Sequence, residues 1–182
     1  MRALAVNLAW LLLLALPSWA GKKEPPAPSL TEEHFNPART FSFRTPPGWV
    51  VTTSSGQPEV TEARGDGLVV RFLRREGELG LDSLHVECML VRLAGPMDTA
   101  PGVDYEYDFV GSAVGERRAM DSAFAVHYDT PIDGHRDWRQ RNLTVVGKGE
   151  SVCVIAHAPL AVWKKSKPAR NLLTSIVGSV GF

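Results

Sequence analysis

Apolar and polar residues alternate along most of the chain after residue 39, which is the pattern of β-strands with one buried face. Phe41 and Phe43 open this part in the stretch FSFRTPPGWVV, and their spacing places both rings on one side of a strand. The Pro-Pro-Gly that follows cannot continue a hydrogen-bond ladder, because two amide donors are missing and glycine permits a turn. We therefore predict that Phe41, Phe43 and Trp49 are core anchors at the first strand and its exit turn.

Further strands are predicted in the middle of the chain. Residues 67–74 and 83–93 are apolar and β-branched enough to be central strands. Residues 117–131 alternate and lead into a hairpin tip at Pro131–Gly134. Two more strands follow, joined by a glycine-rich turn at 147–150. The middle of the chain is therefore predicted to be an antiparallel β-sheet meander.

The end of the chain has a different period. Four apolar residues recur there at helical spacing: Leu172, Leu173, Ile176 and Val177. Pro168 suits the first turn of this C-terminal helix and Gly178 suits its end. Residues 162–167 form either a separate turn or part of the same helix kinked at Pro168, and a short second helix is predicted at 103–110. Strands followed by a packed helix predict an α+β sandwich.

The first 20 residues are apolar and end in Ser18-Trp19-Ala20, where small residues flank a large one. This pattern is typical of a secretory signal peptide and its cleavage site. An uncleaved membrane anchor is less favoured, because the apolar run is short and interrupted. We expect residues 1–20 to be removed on export, which leaves a periplasmic or extracellular protein with no membrane span in the mature chain.

Residues 21–38 are rich in proline, glutamate and lysine and have no hydrophobic period, so they are predicted to be a flexible linker. Residues 39–182 are then one folded domain, of a length that can bury a core. The whole chain has 20 basic and 20 acidic residues. A neutral chain has no electrostatic attraction to nucleic acid or to an anionic membrane, so neither is an expected partner.

Only two cysteines are present, Cys88 and Cys153. In an oxidising compartment they could form a disulfide. Such a bond would stabilise the fold by about 4 kcal/mol, because it lowers the entropy of the unfolded chain. Two buried free thiols on separate strands are the alternative, since free cysteine behaves as a small hydrophobe. The sequence does not decide between the two. A redox enzyme of the Cys-x-x-Cys type is excluded, because that motif is absent.

The stretch RDWRQR, residues 136–141, is the strongest candidate for a partner-binding surface. On a strand, Arg139 and Arg141 share one face, with Trp138 and Gln140 on the other. Exposed arginine together with tryptophan is the composition of interface hot spots, which makes Trp138, Arg139 and Arg141 candidate contacts. The simpler alternative is a solvated hairpin strand with cross-strand charge pairs. For the basic stretch at 163–167, a solvated helix start is favoured over the alternative of an anion site.

Signatures of catalysis and of metal binding are weak. Five histidines are each isolated in sequence, without His-x-His or His-Glu-x-x-His spacing: His34, His85, His127, His135 and His157. In the stretch Gly111–Gly115 the serine stands one place early for a Gly-x-Ser-x-Gly elbow, so these residues are predicted to turn the chain. We expect no catalytic residues, no cofactor and no metal.

The aromatic strand into Pro-Pro-Gly-Trp, the meander with its late hairpin, and a last strand ending Ala-His-Ala-Pro before a helix together resemble the PsbP-like fold. That group includes extrinsic photosystem proteins, bacterial DcrB-type envelope proteins and adaptors of secretion systems. The resemblance covers about Thr40 to Phe182, and the chain departs from it in a short, glycine-rich centre at Gly95–Gly115. It implies a PsbP-like α/β sandwich and a non-enzymatic domain that binds a protein partner. A small-ligand or metal-binding protein is the alternative, and a hydrolase has the least support.

Overall fold

A computed structural model of the chain describes residues 26, 28–54, 56, 59–77, 79–93, 108–114, 117–147 and 149–182. Side chains are described for all of these residues except those between 108 and 118, for which the backbone alone is described. A small sheet pairs β1 (Glu32–Phe35) with β2 (Ser42–Thr45). The main sheet has seven antiparallel strands: β3 (Val50–Ser54), β4 (Glu59–Gly65), β5 (Leu68–Glu76), β6 (Asp108–Val114), β7 (Arg117–Ile132), β8 (His135–Gly147) and β9 (Glu150–Pro159). The helices are α1 (Leu81–Leu90), α2 (Leu160–Lys165) and α3 (Lys167–Gly178).

The main sheet consists of two meanders that meet along one seam. Its order is β3-β4-β5-β9-β8-β7-β6, so β3 to β5 form one meander and β6 to β9 the other. Strands β5 and β9 form the seam, in which Val69 lies opposite His157 and Glu76 opposite Glu150. The β7–β8 hairpin turns at Asp133 and Gly134, which have the positive φ angles of 51° and 77° that a tight hairpin requires. The predicted hairpin tip is confirmed.

One face of the main sheet is covered by α2, α3 and the β1–β2 hairpin, and the larger part of the core lies there. Phe41, Phe43 and Trp49 are 2%, 0% and 7% exposed, which confirms them as core anchors. The Phe43 ring stacks on Phe72 of β5 with 3.9 Å between centroids. Burial of each such side chain stabilises the fold by about 1.5–3 kcal/mol.

Helix α3 has the predicted stripe and the predicted ends. The four apolar residues of the stripe are buried, Pro168 lies in the first turn, and Gly178 is the last residue of the helix. Ser166 precedes α3 in an extended conformation, and its hydroxyl accepts a hydrogen bond from the Ala169 amide at 3.2 Å. Because this cap begins a new helix, residues 160–165 form the separate helix α2.

Helix α1 covers part of the opposite face, where a strand was predicted at 83–93; that prediction is wrong. Leu84, His85 and Cys88 are buried at helical spacing, while Val86 and Leu90 are 55% and 41% exposed. Apolar residues lie on both the buried and the exposed face of this helix, so in sequence the segment resembles a buried strand. The position beside β5 in the sheet belongs to β9, and α1 instead contributes to a small core with Leu73, Cys153 and Ile155.

Three other local predictions differ from the structure. Residues 32–35, assigned to the flexible linker, form β1 and pair with β2; His34 Nε2 lies 2.8 Å from Thr45 Oγ1, a hydrogen-bonding distance. The strand was missed because its side chains are mostly charged or polar, whereas its pairing with β2 depends on backbone hydrogen bonds. Of the helix predicted at 103–110, residues 103–107 lie outside the described residues and 108–110 begin β6. Residues 111–114, predicted to be a turn, continue β6.

The predicted fold class is confirmed, since a mostly antiparallel sheet packs against C-terminal helices in an α+β arrangement. Within the described ranges, none of the helices combines the length and the apolar character that a membrane crossing needs.

Candidate functional site: an arginine groove beside the C-terminal helices

Strand β8 divides its side chains between the two faces of the sheet, as its alternation predicted. Arg139 and Arg141 lie towards α2 and α3, whereas Trp138 and Gln140 lie on the α1 side. Trp138 is 1% exposed, packs in a cluster with Phe124, and donates a hydrogen bond from Nε1 to the His135 carbonyl at 3.2 Å. Trp138 was predicted to be a partner contact, and its burial on the face opposite Arg139 and Arg141 leaves it unavailable for one.

A different tryptophan lies beside the arginines. Trp163 of α2 is half-buried, and the Arg139 guanidinium lies 5.9 Å from the centroid of its ring. Arg170 of α3 donates a hydrogen bond to the Trp163 carbonyl. With Arg141 and Thr174, these side chains line a groove of about 320 Å³ between β7, β8 and the two helices. We call it the arginine groove.

Arg141 is the fixed member of the arginine groove. Its Nε lies 3.1 Å and 3.2 Å from the two carboxylate oxygens of Asp121, and its Nη2 lies 2.5 Å from one of them. Its Nη1 donates to the Thr174 hydroxyl at 2.7 Å, which ties β8 to α3. This paired and partly buried guanidinium positions the wall of the groove.

A second groove, of about 410 Å³, lies on the other face beside β3, β4, β5 and the residue that follows α1. Its charged residues bind each other: Arg71 Nε lies 2.6 Å from a Glu62 carboxylate oxygen. Burial raises the pKa of Glu62, but hydrogen bonds from Arg64 and Arg71 lower it more, so the pKa lies below its usual value. This carboxylate is held ionised and is a poor proton donor.

A layer of buried polar groups under α1 was not predicted, because His85 was assigned to a strand. His85 Nδ1 lies 2.8 Å from Thr144 Oγ1, and its Nε2 lies 2.9 Å from Ser122 Oγ. Burial lowers the pKa of His85, although Asp121 and Asp82 act in the opposite direction. The Ser122–His85 contact has the spacing of a nucleophile and its base. The two residues are 2% and 1% exposed, so a substrate cannot reach them.

His157 belongs to the same layer. Its Nε2 lies 2.9 Å from Gln140 Oε1, so the ring donates this hydrogen bond and Nδ1 is the unprotonated nitrogen. Complete burial, reinforced by the nearby positive charges of Arg71 and Arg92, holds the pKa of His157 well below its usual value. The histidines with shifted pKa values therefore lie in the core rather than in either groove.

Cys88 and Cys153 are joined by a disulfide, with Cα atoms 5.8 Å apart, and this bond connects α1 to the central strand β9. In the described part of the chain, three or more His, Cys, Asp or Glu side chains do not come together in an arrangement that could hold a metal ion.

No model of a protein family matches the chain, and no curated protein matches it in sequence. Among solved structures, the chain is similar to the solution structure of cyanobacterial PsbP (CyanoP) from Synechocystis, with a TM-score of 0.60. The match covers 82% of this chain and 91% of that chain at 12% sequence identity, a level at which the similarity concerns the fold. The chain therefore has the PsbP-like α+β fold that its sequence resembles.

Proposed function

We propose that this chain is an exported, non-catalytic domain that binds a protein partner in the cell envelope or the secreted space. The arginine groove is the observation that carries the proposal. It combines three arginines with a half-buried tryptophan, and these two residue types are enriched in interface hot spots. A rigid sheet and two packed helices hold these side chains in place, so the surface needs little reordering on binding.

Export is supported by two observations from different parts of the chain. Residues 1–20 have the pattern of a secretory signal peptide. Cys88 and Cys153, both buried in the fold, are joined in a disulfide of the kind that persists in oxidising compartments. Mass spectrometry of the protein from its own cells should give a mature chain that begins at Gly21; a chain that retains residues 1–20 would contradict export by cleavage.

A binding role is favoured over catalysis by the placement of the titratable groups. Enzymes place groups with shifted pKa values in a cleft that substrate can reach. Here the shifted histidines, His85 and His157, are buried in the core, and Glu62 is held ionised by two arginines. Binding of a small ligand, the alternative, needs a concave and mostly apolar pocket. In both grooves described above, the lining residues with charged or polar side chains outnumber those with apolar ones.

The test is capture of a partner from the envelope and secreted fractions, with lysine-reactive crosslinking and mass spectrometry. Lys164 and Lys165 are exposed beside Trp163, so a partner in the arginine groove should crosslink to them. Arg139→Glu should abolish capture, whereas Arg136→Glu, an equal charge change at an exposed position on the same strand, should leave it intact. Absence of a crosslinked partner, or equal capture by both variants, would refute the proposal.

A further inference from the structure

Charge is distributed unevenly in this neutral chain. Its last 32 residues, 151–182, contain no aspartate or glutamate and four basic residues: Lys164, Lys165, Lys167 and Arg170. All four belong to α2 and α3. The side chains of the three lysines are exposed, and Arg170 lies in the wall of the arginine groove. The charged residues of α2 and α3 are therefore all basic, and one of them, Arg170, lines the groove.

The strand side of the groove adds to this charge. Arg139 and Arg141 are two positions apart on β8, which places their side chains on one face about 7 Å apart. Among the described side chains that line the groove, three arginines accompany one carboxylate, that of Asp121. Asp121 is bound by Arg141, so the described part of the lining has an excess of positive charge at its Trp163 and Arg170 end.

This excess selects for a negatively charged ligand, and the exposed lysines of the same two helices add positive charge next to Trp163 and Arg170 in the chain. Arginines bind carboxylates through paired N–H groups, and the indole of Trp163 supplies a flat apolar wall for the intervening atoms. A volume of about 320 Å³ accommodates a few side chains of an extended segment. We propose that the arginine groove receives an acidic polypeptide segment of the partner, one with consecutive aspartates or glutamates. This inference rests on the proposed function.

A lipid surface fits the same face less well. Interfacial helices insert exposed apolar side chains between lipids. In the described part of the chain, the large hydrophobic residues that are exposed all lie outside α2 and α3: Phe35, Val50, Leu79, Val86 and Leu90. The apolar stripe of α3 is instead buried in the core. Positive charge without exposed apolar anchors, at the mouth of a concave groove, favours a protein segment over a membrane.

The test uses the purified protein and a fluorescein-labelled decaglutamate peptide, followed by fluorescence anisotropy, with decaglutamine as the uncharged comparison. We expect binding of decaglutamate alone. The binding should weaken as added salt shortens the screening length from about 30 Å to about 8 Å. Arg170→Gln, which removes a groove charge, and the double variant Lys164→Gln/Lys165→Gln should each weaken binding about tenfold.

The matched control is Arg39→Gln/Arg136→Gln, which removes two exposed arginines away from α2 and α3 and should change the affinity less than about twofold. Thermal unfolding of every variant shows whether the fold is retained, and the salt dependence of the unmodified protein tests the inference without any substitution. Equal weakening by control and groove variants, or binding that is insensitive to salt, would overturn the inference. So would binding to phosphatidylserine vesicles without binding to the peptide.

Competition separates this inference from the function on which it rests. Decaglutamate added before the crosslinker should prevent the capture of a partner that otherwise crosslinks to Lys164 or Lys165. A partner that still crosslinks there in the presence of the peptide overturns the acidic-segment inference and leaves the proposed function intact. Peptide binding in the absence of any captured partner overturns the proposed function alone.

Discussion

Gly65, the last residue of β4, lies directly beneath the indole of Trp49. A Cβ atom added at Gly65 would lie 2.5 Å from Trp49 Cε2 and closer still to Nε1 and Cδ1. The indole is also fixed at its edge, because Nε1 donates a hydrogen bond to Asp66 Oδ2 at 3.2 Å. Trp49 is 7% exposed and belongs to the main core. The substitution Gly65→Ala therefore requires the ring or strand β4 to move.

The size of the effect follows from this contact. Carbon atoms pack at about 3.5–4.0 Å, so the ring must retreat by about 1 Å or more. Overpacking of this kind costs about 1–3 kcal/mol. Complete expulsion of the ring would cost the burial of a large aromatic, about 3–5 kcal/mol, which is an upper limit. Alanine recovers about 0.5–1 kcal/mol of stability, because an unfolded chain has less conformational entropy with alanine than with glycine at this position. After this recovery is subtracted from the overpacking cost, we expect the free energy of unfolding to fall by about 1–2 kcal/mol.

Urea unfolding followed by circular dichroism measures this change. Gly178→Ala is the matched control, because an added Cβ there has no atom within 4 Å and alanine favours the helix. The control should be neutral or slightly stabilising. In a Trp49→Ala background, Gly65→Ala should lose its cost, since the clashing ring is gone. A Gly65→Ala protein within about 0.5 kcal/mol of the unmodified one would refute the packing argument.

Three further predictions concern the disulfide, the buried His157, and the ion pair between Arg141 and Asp121. Titration of the denatured, unreduced protein should find no free thiol. Two titratable thiols would contradict the disulfide. Reduction should lower the free energy of unfolding by about 4 kcal/mol, given the 65-residue separation of Cys88 and Cys153. The folded pKa of His157 is below its unfolded value of about 6.5, so the unfolded state binds more protons and stability should fall as pH drops from about 7 to about 5. His157→Asn should flatten that fall in urea titrations, and an unchanged slope would exclude His157 as its source. Arg141→Gln should cost about 1–3 kcal/mol by leaving Asp121 without its partner, and Asp121→Asn in the same protein should recover part of it; additive losses would show that the two residues are not coupled.

The parts of the fold that the sequence predicts are those in which local pattern and final packing agree. Phe41 and Phe43 alternate and lie on a buried strand face, and the stripe of α3 lies on the core with its Pro168 start. Helix α1 was missed because Val86 and Leu90 are apolar yet exposed, which hides its helical period. Its conformation depends on which strand occupies the position beside β5, and a local pattern does not contain that information.

The candidate site is predictable only in part for the same reason. Alternation on β8 correctly separated Arg139 and Arg141 from Trp138. The tryptophan that accompanies the arginines, Trp163, comes from a helix that begins after β9, and Arg170 comes from the helix after that. The arginine groove exists only because α2 and α3 pack across β8. The visible signal in the sequence is the acid-free basic stretch that ends the chain.

Oxidation of this chain depends on the seam between β5 and β9. Each meander can form from hairpins between neighbouring segments, but the seam places Leu73 opposite Cys153, residues 80 positions apart (153 − 73). Joining such distant residues costs about 4 kcal/mol of chain entropy, so the seam is expected to form after the local hairpins. Cys88, on the helix that follows β5, lies beside Cys153 only when the seam is in place. An oxidised chain is thus one whose two halves have already joined, and formation of the disulfide marks the completed sheet.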